Sequence, residues 1–354
     1  MRPVLISAGG TGGHVFPALA VADELRRAGA PILWLGTRHG IESRVVPAHG
    51  YELITMPGAG LRGAGARRWL FAPWRLGVAI ACSLKVLARR RPGAVLGMGG
   101  YTAGPAGVAA WLMRVPLVVH EQNAIAGMTN RLLAPLARLV LQAFPGTFPA
   151  RPDARTTGNP VRASLFDVPA PGAGEGEPLR VFVFGGSQGA SFFNECMPQV
   201  FAAAGASGYR IRHQCGAGAG DATRACYAQA GIEAHIEEFI DDMAGAYAWA
   251  DVVVCRGGAL SVCELAAAGR PAVIVPFPHA VDDHQSANAR LLADAGAAVL
   301  VQQAQANVET LARVMEEFRN GRPRLRDMAA RARALARPQA ARDVAGACLE
   351  VARG

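Results

Sequence analysis

Short apolar runs rich in branched residues alternate along this chain with longer stretches of alanine and leucine. The first kind is typical of buried strands and the second of helices. Repeated alternation of the two predicts parallel α/β sheets, because each parallel strand needs a crossover helix. The predicted strands are Val4–Ala8, Ile32–Leu35, Ala94–Leu96, Leu117–His120 and Leu139–Leu141, then Arg180–Phe184, Arg210–Gln214, Asp251–Cys255, Ala272–Val275 and Ala298–Val301.

The pattern restarts midway. "VLISAGGTGGH" and "RVFVFGGSQGA" each read as a strand, a glycine loop and the start of a helix, and the Pro- and Gly-rich stretch Asp167–Arg180 lies between them. The 354 residues are enough for two cores. We therefore expect two Rossmann-like domains, 1–162 and 163–337, with helix 338–354 returning to the first. In such folds, ligands bind at the carboxyl ends of the strands, so a cleft between the domains is the expected active site.

Composition and charge limit the kinds of protein that this chain can be. Residues 1–162 contain 19 Lys and Arg against 6 Asp and Glu, net +13, whereas residues 163–354 contain 17 against 21, net −4. The first half is therefore expected to meet something anionic. No uncharged apolar run reaches the length of a membrane span. Seven cysteines without a CxxC pair indicate reduced, buried thiols.

The first glycine loop, residues 9–14, departs from the known nucleotide fingerprints. Val15 occupies the position where a dinucleotide-binding loop needs its third glycine. After the second strand, where an acidic residue would bind the ribose, the sequence has Gly36, Thr37 and Arg38. A Walker loop is excluded because the only lysine, Lys85, lies in no glycine loop.

The second loop, residues 185–189, matches the G-x-S-x-G nucleophile elbow of hydrolases. Ser187 would then act with Asp241 or Asp242 and with His279 or His284. This interpretation stays open here, although the doubled architecture does not suit a hydrolase.

A third loop, residues 255–269, joins a strand to a helix that starts near Leu260. The first N–H groups of such a helix are free and lie at the positive end of its dipole, so a diphosphate could bind there without a lysine. Glu264, in the second turn, could accept both hydroxyls of a ribose. The alternative is a glutamate that merely faces solvent.

Seven ordered segments together resemble the MurG family of N-acetylglucosaminyltransferases: "GGTGGHVFPALAVA", "GMGGYTAGP", "HEQNAIAGMTNR", "TGNPVR", "FGGSQGA", "FIDDMAGAYAWADVVVCRGGALSVCELAAAG" and "PFPHAVDDHQSANA". The resemblance implies a GT-B fold, in which two Rossmann-like domains with parallel sheets face each other across a cleft. It also implies conversion of lipid I to lipid II in peptidoglycan synthesis. The N-terminal domain would face the acceptor and the membrane, and the C-terminal domain would bind UDP-GlcNAc.

The resemblance implies donor-binding roles for individual residues. Glu264 would hold the ribose, Ile240 the uracil through its backbone, Ser187 the diphosphate and Gln285 the GlcNAc hydroxyls. The other implied donor-binding residues are Thr11, Gly12, Gly13, Asn123, Arg162, Ala259, Leu260, Ser261, Val262 and Cys263.

Family membership also implies inverting transfer to the 4-hydroxyl of MurNAc, which needs a base. His14 is the candidate, because the start of a helix disfavours imidazolium and Pro17 suits a first turn. Glu121 is the second choice. The pairs Asp241–Asp242 and Asp282–Asp283 diverge in any regular structure, so we expect no metal site and no cofactor.

The acceptor brings a lipid anchor, so part of the chain should approach a membrane. Gly99, Gly100 and Tyr101 are predicted to hold the acceptor diphosphate. Aromatic and basic side chains suit an anionic headgroup region. The predicted membrane-contact residues are Arg67, Arg68, Trp69, Leu70, Phe71, Trp74 and Arg75. The expected location is peripheral, on the cytoplasmic face of the bacterial inner membrane.

Three alternatives remain open at this point. A UDP-sugar 2-epimerase would share the donor site but not the aromatic and basic stretch. A non-catalytic membrane-binding module would leave Glu264 without a role. A nucleic-acid binder would use the basic half, but no recognised reading module is present, so we expect no nucleic-acid partner.

Overall fold

The computed structural model describes residues 1–57, 72–172, 174, 176–186 and 189–353. The chain divides into two compact units. Unit 1 consists of Met1–Arg162 and Arg337–Gly354, and unit 2 of Ala163–Ala336.

Unit 1 contains a seven-stranded parallel sheet in the order β3-β2-β1-β4-β5-β6-β7. Its strands are β1 Val4–Ser7, β2 Ile32–Gly36, β3 Leu53–Thr55, β4 Ala94–Gly97, β5 Leu117–Glu121, β6 Leu139–Gln142 and β7 Arg155–Thr156. Its described helices are α1 Gly12–Arg27, α2 Glu42–Ala48, α3 Ala72–Arg90, α4 Gly100–Leu112, α5 Met128–Leu133 and, at the end of the chain, α13 Ala340–Arg353.

Unit 2 contains a six-stranded parallel sheet in the order β10-β9-β8-β11-β12-β13. Its strands are β8 Leu179–Phe184, β9 Tyr209–Gln214, β10 His235–Glu237, β11 Val252–Cys255, β12 Ala272–Ile274 and β13 Ala298–Leu300. Its described helices are α6 Ser191–Ala203, α7 Gly220–Gln229, α8 Met243–Trp249, α9 Ala259–Ala268, α10 His284–Asp294, α11 Val308–Asn320 and α12 Arg322–Ala334. Both sheets follow the Rossmann order 3-2-1-4-5-6, which confirms the predicted fold class.

The hydrophobic pattern locates most of the described strands closely. Each of the ten predicted strands coincides with an observed strand to within one residue at either end. The sequence analysis missed β3, β7 and β10, and all three lie at sheet edges. They are two or three residues long and their side chains are half-buried or exposed. Such strands lack the continuous apolar run of a strand covered on both faces.

The core of unit 1 covers both faces of its sheet, and the last helix forms part of it. Val344, Cys348 and Val351 of α13 follow helical spacing and pack with Leu19 and Leu25 of α1 in one buried cluster. The end of the chain is therefore built into unit 1.

The Pro- and Gly-rich stretch is not simply a linker. Two arginines of unit 2, one half-buried and one fully buried, hold its first residues and the residue before them. Arg333 donates to the carbonyl oxygens of Phe166 and Val168, and Arg270 donates to that of Pro169. These hydrogen bonds join the segment to unit 2, in agreement with the division of the chain into units.

Among the described residues, no helix combines the length and apolar character that a membrane crossing requires.

Candidate active site

The first glycine loop closes over a buried carboxylate. Glu42 is fully buried, and its oxygens accept hydrogen bonds from the backbone N–H of Gly10 at 3.0 Å and from the backbone and hydroxyl of Thr37 at 2.9 and 2.7 Å. A Cβ on Gly9 would lie 2.6 Å from Glu42 Oε1. The glycines therefore allow this loop to pack tightly and to present the start of α1.

Sequence analysis did not find Glu42. Its partner Gly10 lies 32 positions away in the sequence, and no local motif announces a buried glutamate in the first turn of a helix. Pro17 also differs from expectation. It is the sixth residue of α1, in the second turn, because the helix begins already at Gly12.

The loop after β4 meets the loop after β1. Gly99 and Gly100 have φ of +85° and +75°, which favours glycine. A Cβ on Gly100 would lie 2.5 Å from the carbonyl oxygen of Gly9, and one on Gly99 would lie 3.1 Å from Cε1 of His14. The structure thus brings the predicted acceptor loop against the predicted base within unit 1.

Tyr101 and Arg75 are neighbours at the same end of the sheet. Burial raises the pKa of Tyr101, and the positive charge of Arg75 opposes this increase in pKa. Trp74, beside Arg75 in the first turn of α3, is 74% exposed. Arg67, Arg68, Trp69, Leu70 and Phe71 lie outside the described residues.

His14 is the third residue of α1 and is only partly buried. Its Nδ1 lies 2.8 Å from Oε1 of Gln122. Two residues further along α1, the ring of Phe16 stacks under the guanidinium of Arg162 at 4.8 Å. The structure therefore places Arg162 beside the start of α1, together with Thr11, Gly12 and Gly13.

Glu121 is committed to neighbouring donors. Its Oε1 accepts from the backbone and side-chain amides of Asn123, both at 3.0 Å. Its Oε2 accepts from Gly127 N at 3.0 Å and from Asn130 Nδ2 at 2.8 Å. A buried carboxylate that accepts four hydrogen bonds holds Asn123 in place, and its role as the second candidate for the base stays a prediction.

In unit 2, the glycine loop after β8 also packs tightly. A Cβ on Gly185 would lie 2.3 Å from Ala190 N, and one on Gly189 would lie 2.3 Å from the carbonyl oxygen of Cys215. Ser187 lies outside the described residues, so its predicted contact with the diphosphate stays a prediction.

The start of α9 presents main-chain donors. The first hydrogen bond of the helix runs from Val262 N to the Gly258 carbonyl oxygen at 2.9 Å. The N–H groups of Ala259, Leu260 and Ser261 have no acceptor within the helix. Gly257 lets the loop pass close to α10, since a Cβ there would lie 2.3 Å from the Gln285 carbonyl oxygen. This helix start suits a phosphate.

Glu264 lies in the second turn of α9 and is 5% exposed. The hydroxyl of Tyr247 donates to its Oε2 at 3.2 Å. This contact holds the carboxylate in place. The structure therefore places a buried, oriented acid one turn beyond the donor amides, and does not support a glutamate that faces solvent.

The remaining donor-site predictions lie around α9. Gln285 uses its Oε1 to accept from Phe277 N at 2.9 Å. Ile240 is buried shortly before α8, whose first turn is capped by Asp242 accepting from Gly245 N at 2.9 Å. Within the described ranges, no group of three or more His, Cys, Asp or Glu side chains could hold a metal ion.

Sequence analysis also missed Arg256, which directly follows β11. It is buried, donates to the carbonyl oxygens of Val275 and Pro276, and packs against the rings of Phe192 and Phe193. Burial lowers its pKa. The only available signal was an arginine between an apolar strand and a glycine pair.

Comparison with known proteins identifies the family. The model of the glycosyltransferase family 28 N-terminal domain matches residues 4–142, and that of the C-terminal domain matches residues 180–344. The UDP-N-acetylglucosamine–N-acetylmuramyl-(pentapeptide) pyrophosphoryl-undecaprenol N-acetylglucosamine transferase of Alkalilimnicola ehrlichii is 54% identical over 99% of both chains. The transferase of the same name from Aeromonas hydrophila is 50% identical over 100% of this chain and 98% of its own. The chain belongs to the MurG enzymes of family 28.

Structural comparison agrees with this family. The crystal structure of Acinetobacter baumannii MurG is similar with a TM-score of 0.83 and 38% identity, covering 99% of this chain and 100% of that one. The resemblance stated from the seven segments is thereby confirmed. The chain is a family 28 glycosyltransferase with the GT-B fold, built from two Rossmann-like units.

Proposed function

We propose that this enzyme transfers GlcNAc from UDP-GlcNAc to the 4-hydroxyl of MurNAc in lipid I, inverting the anomeric centre and giving lipid II. The observation that carries the proposal is 54% identity, over 99% of both chains, to a transferase whose name states this donor and acceptor. The identity to transferases favours transfer over the alternative of a 2-epimerase.

Unit 2 binds the donor. The amides of Ala259, Leu260 and Ser261 receive the diphosphate, and the Glu264 carboxylate accepts both ribose hydroxyls while Tyr247 steadies it. Ser187 completes the diphosphate site. Ile240 contacts uracil and Gln285 the sugar. Val262 and Cys263 complete this turn of α9.

Unit 1 binds the acceptor and supplies the base. Gly99, Gly100 and Tyr101 accommodate the lipid-linked diphosphate, in contact with the loop that carries His14. Thr11, Gly12, Gly13, Asn123 and Arg162 contact the donor from the start of α1 and the end of β5.

The reaction is a single displacement. The oxygen of the 4-hydroxyl forms a bond to C1 of GlcNAc as the bond from C1 to the phosphate oxygen breaks. His14 takes the hydroxyl proton, and UDP leaves with the electron pair. The amides at the start of α9 are already oriented toward the charge that develops on UDP.

The acceptor's lipid brings unit 1 to the cytoplasmic face of the inner membrane. Support comes from the exposed Trp74 and its neighbour Arg75, whose charge reaches Tyr101 of the acceptor loop. The excess of 13 positive charges in residues 1–162 favours an anionic surface. Arg67, Arg68, Trp69, Leu70 and Phe71 extend this contact in our proposal.

The proposal is tested by incubating the enzyme with UDP-GlcNAc and a lipid I analogue. We expect UDP release that requires the acceptor, together with an acceptor product heavier by one GlcNAc. UDP release or isomerisation of UDP-GlcNAc in the absence of the lipid I analogue would favour the epimerase instead. No turnover in the presence or the absence of the analogue would exclude both enzymes.

A further inference from the structure

A chain of hydrogen bonds reaches His14 from the interior of unit 1. We propose that Gln122, itself held by His120, is a positioning residue that keeps the proton of neutral His14 on Nδ1 and leaves Nε2 as the basic nitrogen. This inference rests on the proposed function, because it specifies how the base is prepared.

The inner end of the chain is a neutral histidine. His120 is fully buried, and its Nε2 lies 3.0 Å from the carbonyl oxygen of Gly158. A carbonyl only accepts, so Nε2 carries the proton. Burial lowers the pKa of His120 to about 4, so at neutral pH its Nδ1 is bare and can only accept.

The orientation of Gln122 follows from two acceptors. Its Nε2 lies 3.0 Å from Nδ1 of His120 and 3.0 Å from the backbone oxygen of His120. Rotating the amide by 180° would set its oxygen against that backbone oxygen, with no hydrogen between them. The two hydrogens of Nε2 are therefore used, and Oε1 faces His14.

The tautomer of His14 is the consequence. Gln122 Oε1 is an acceptor, and it lies 2.8 Å from Nδ1 of His14. Nδ1 must therefore donate, and the lone pair of the neutral ring is on Nε2. During transfer, Nε2 takes the hydroxyl proton while Nδ1–H stays bound to Gln122. No proton moves along the hydrogen bonds from His14 to His120.

The glycine loops hold the ring in the same place. A Cβ on Gly99 would lie 3.2 Å from Nδ1, and one on Gly100 would lie 3.5 Å from Cδ2. The backbone of the two glycines packs against the His14 ring, and Gln122 holds Nδ1, the nitrogen that does not take the hydroxyl proton.

The first test is direct observation of the tautomer. In the full-length enzyme labelled with ¹⁵N-histidine, we assign His14 by the loss of its signals in His14→Asn. We expect protonated Nδ1 and bare Nε2 in the neutral ring of the wild-type enzyme. Protonated Nε2 in that ring would overturn the inference, and this result needs no variant of Gln122.

The second test compares two buried glutamines, one directly after β5 and the other at the end of the neighbouring β6. Gln122→Met removes the acceptor for His14. Gln142→Met is the matched control, because Gln142 is also buried, bonds Phe148 N and Thr156 Oγ1, and lies in β6. We expect kcat to fall roughly 10- to 100-fold in Gln122→Met only, with the KM for UDP-GlcNAc unchanged.

In Gln122→Met we also expect the His14 ¹⁵N signals to shift toward the Nε2–H form. Equal kcat in the two methionine variants, or an unchanged tautomer, would overturn the inference. Failure of the proposed base is a separate result, since it would appear as wild-type kcat in His14→Asn.

Discussion

The two units share one strand order but differ at the glycine loop after the first strand of each. In unit 1 the loop leads into α1 with His14 in its first turn, and the ring of this residue is part of a hydrogen-bonded chain. In unit 2 the corresponding loop closes on main chain, at Ala190 and at the carbonyl of Cys215. Both loops pack tightly, but only the loop of unit 1 leads directly to a histidine, to which we assign proton transfer.

A buried histidine supports each loop, and the two histidines also differ. His120 connects outward through Gln122 to His14, which is partly exposed. His213 connects to Tyr227 and Asn194, both buried, and Asn194 donates to the Cys215 carbonyl beside the loop. The hydrogen bonds of His120 therefore lead to a partly exposed side chain, to which we assign proton transfer, whereas those of His213 end on buried groups.

The largest expected effect is a loss of turnover when the proposed base in unit 1 is replaced. We expect His14→Asn to lower kcat roughly 10²- to 10⁴-fold, the usual contribution of a general base, with little change in the KM for UDP-GlcNAc. His49→Asn is the control, since His49 is exposed in the same unit. Steady-state kinetics with a lipid I analogue measure both. A change confined to the donor KM would contradict the assignment of the base to unit 1.

The next effect concerns donor binding in unit 2. Glu264→Ala removes the carboxylate to which we assign two ribose hydrogen bonds, so we expect the KM for UDP-GlcNAc to rise roughly 10- to 100-fold with a smaller change in kcat. Glu195→Ala, at an exposed position of α6, is the control. Donor titrations at saturating acceptor measure the difference. An unchanged donor KM in Glu264→Ala would remove this residue from the site.

The next prediction concerns how the free energy of unfolding depends on pH through His213, the buried histidine of unit 2. Burial lowers the pKa of His213 to about 3, whereas an unfolded chain has a histidine pKa of about 6.5. Between these pH values only the unfolded state takes up the proton, so stability is lost as the pH falls. We expect a loss of about 2 kcal/mol between pH 7 and 5 from this residue.

Urea unfolding at the two pH values measures this loss. His213→Gln should lower the pH dependence by that amount, while His49→Gln, at an exposed position, should not. The same pH dependence in both variants would contradict a buried neutral His213.

The smallest expected effect concerns membrane binding, which we assign to the positively charged unit 1 and not to unit 2. We expect Trp74→Ala combined with Arg75→Ala to weaken binding to vesicles of anionic phospholipid roughly 5-fold, about the contribution of one arginine near such a surface. Arg326→Ala, at an exposed position of unit 2, provides the charge-matched control. Co-sedimentation measures binding. Equal weakening in the control would indicate a general charge effect rather than a membrane-facing surface.

Sequence reasoning found the strands that have apolar runs, including β13 at one sheet edge, but it missed the three other edge strands, β3, β7 and β10. Runs such as Val4–Ser7 are buried along their whole length, so their composition reveals them. The strand Arg155–Thr156 is exposed at both residues and contains no apolar side chain, so side-chain composition does not reveal it. An edge strand without an apolar run is therefore found only when its neighbours are known.

The candidate site shows the same division. Glycine loops, a helix start and Glu264 are local features of the sequence, and they could be predicted. Glu42 and Gln122 act through contacts 32 and 108 positions away in the sequence. Such partners are set by the sheet topology, so no spacing along the chain indicates them.

The central claim is that donor binding belongs to the main-chain amides of unit 2 and proton transfer to unit 1. A crystal structure of the enzyme with UDP-GlcNAc tests it most directly. We expect phosphate oxygens about 3 Å from the amide nitrogens of Ala259–Ser261, with Glu264 on the ribose. A nucleotide bound instead at the loop before His14, with the start of α9 empty, would contradict the account.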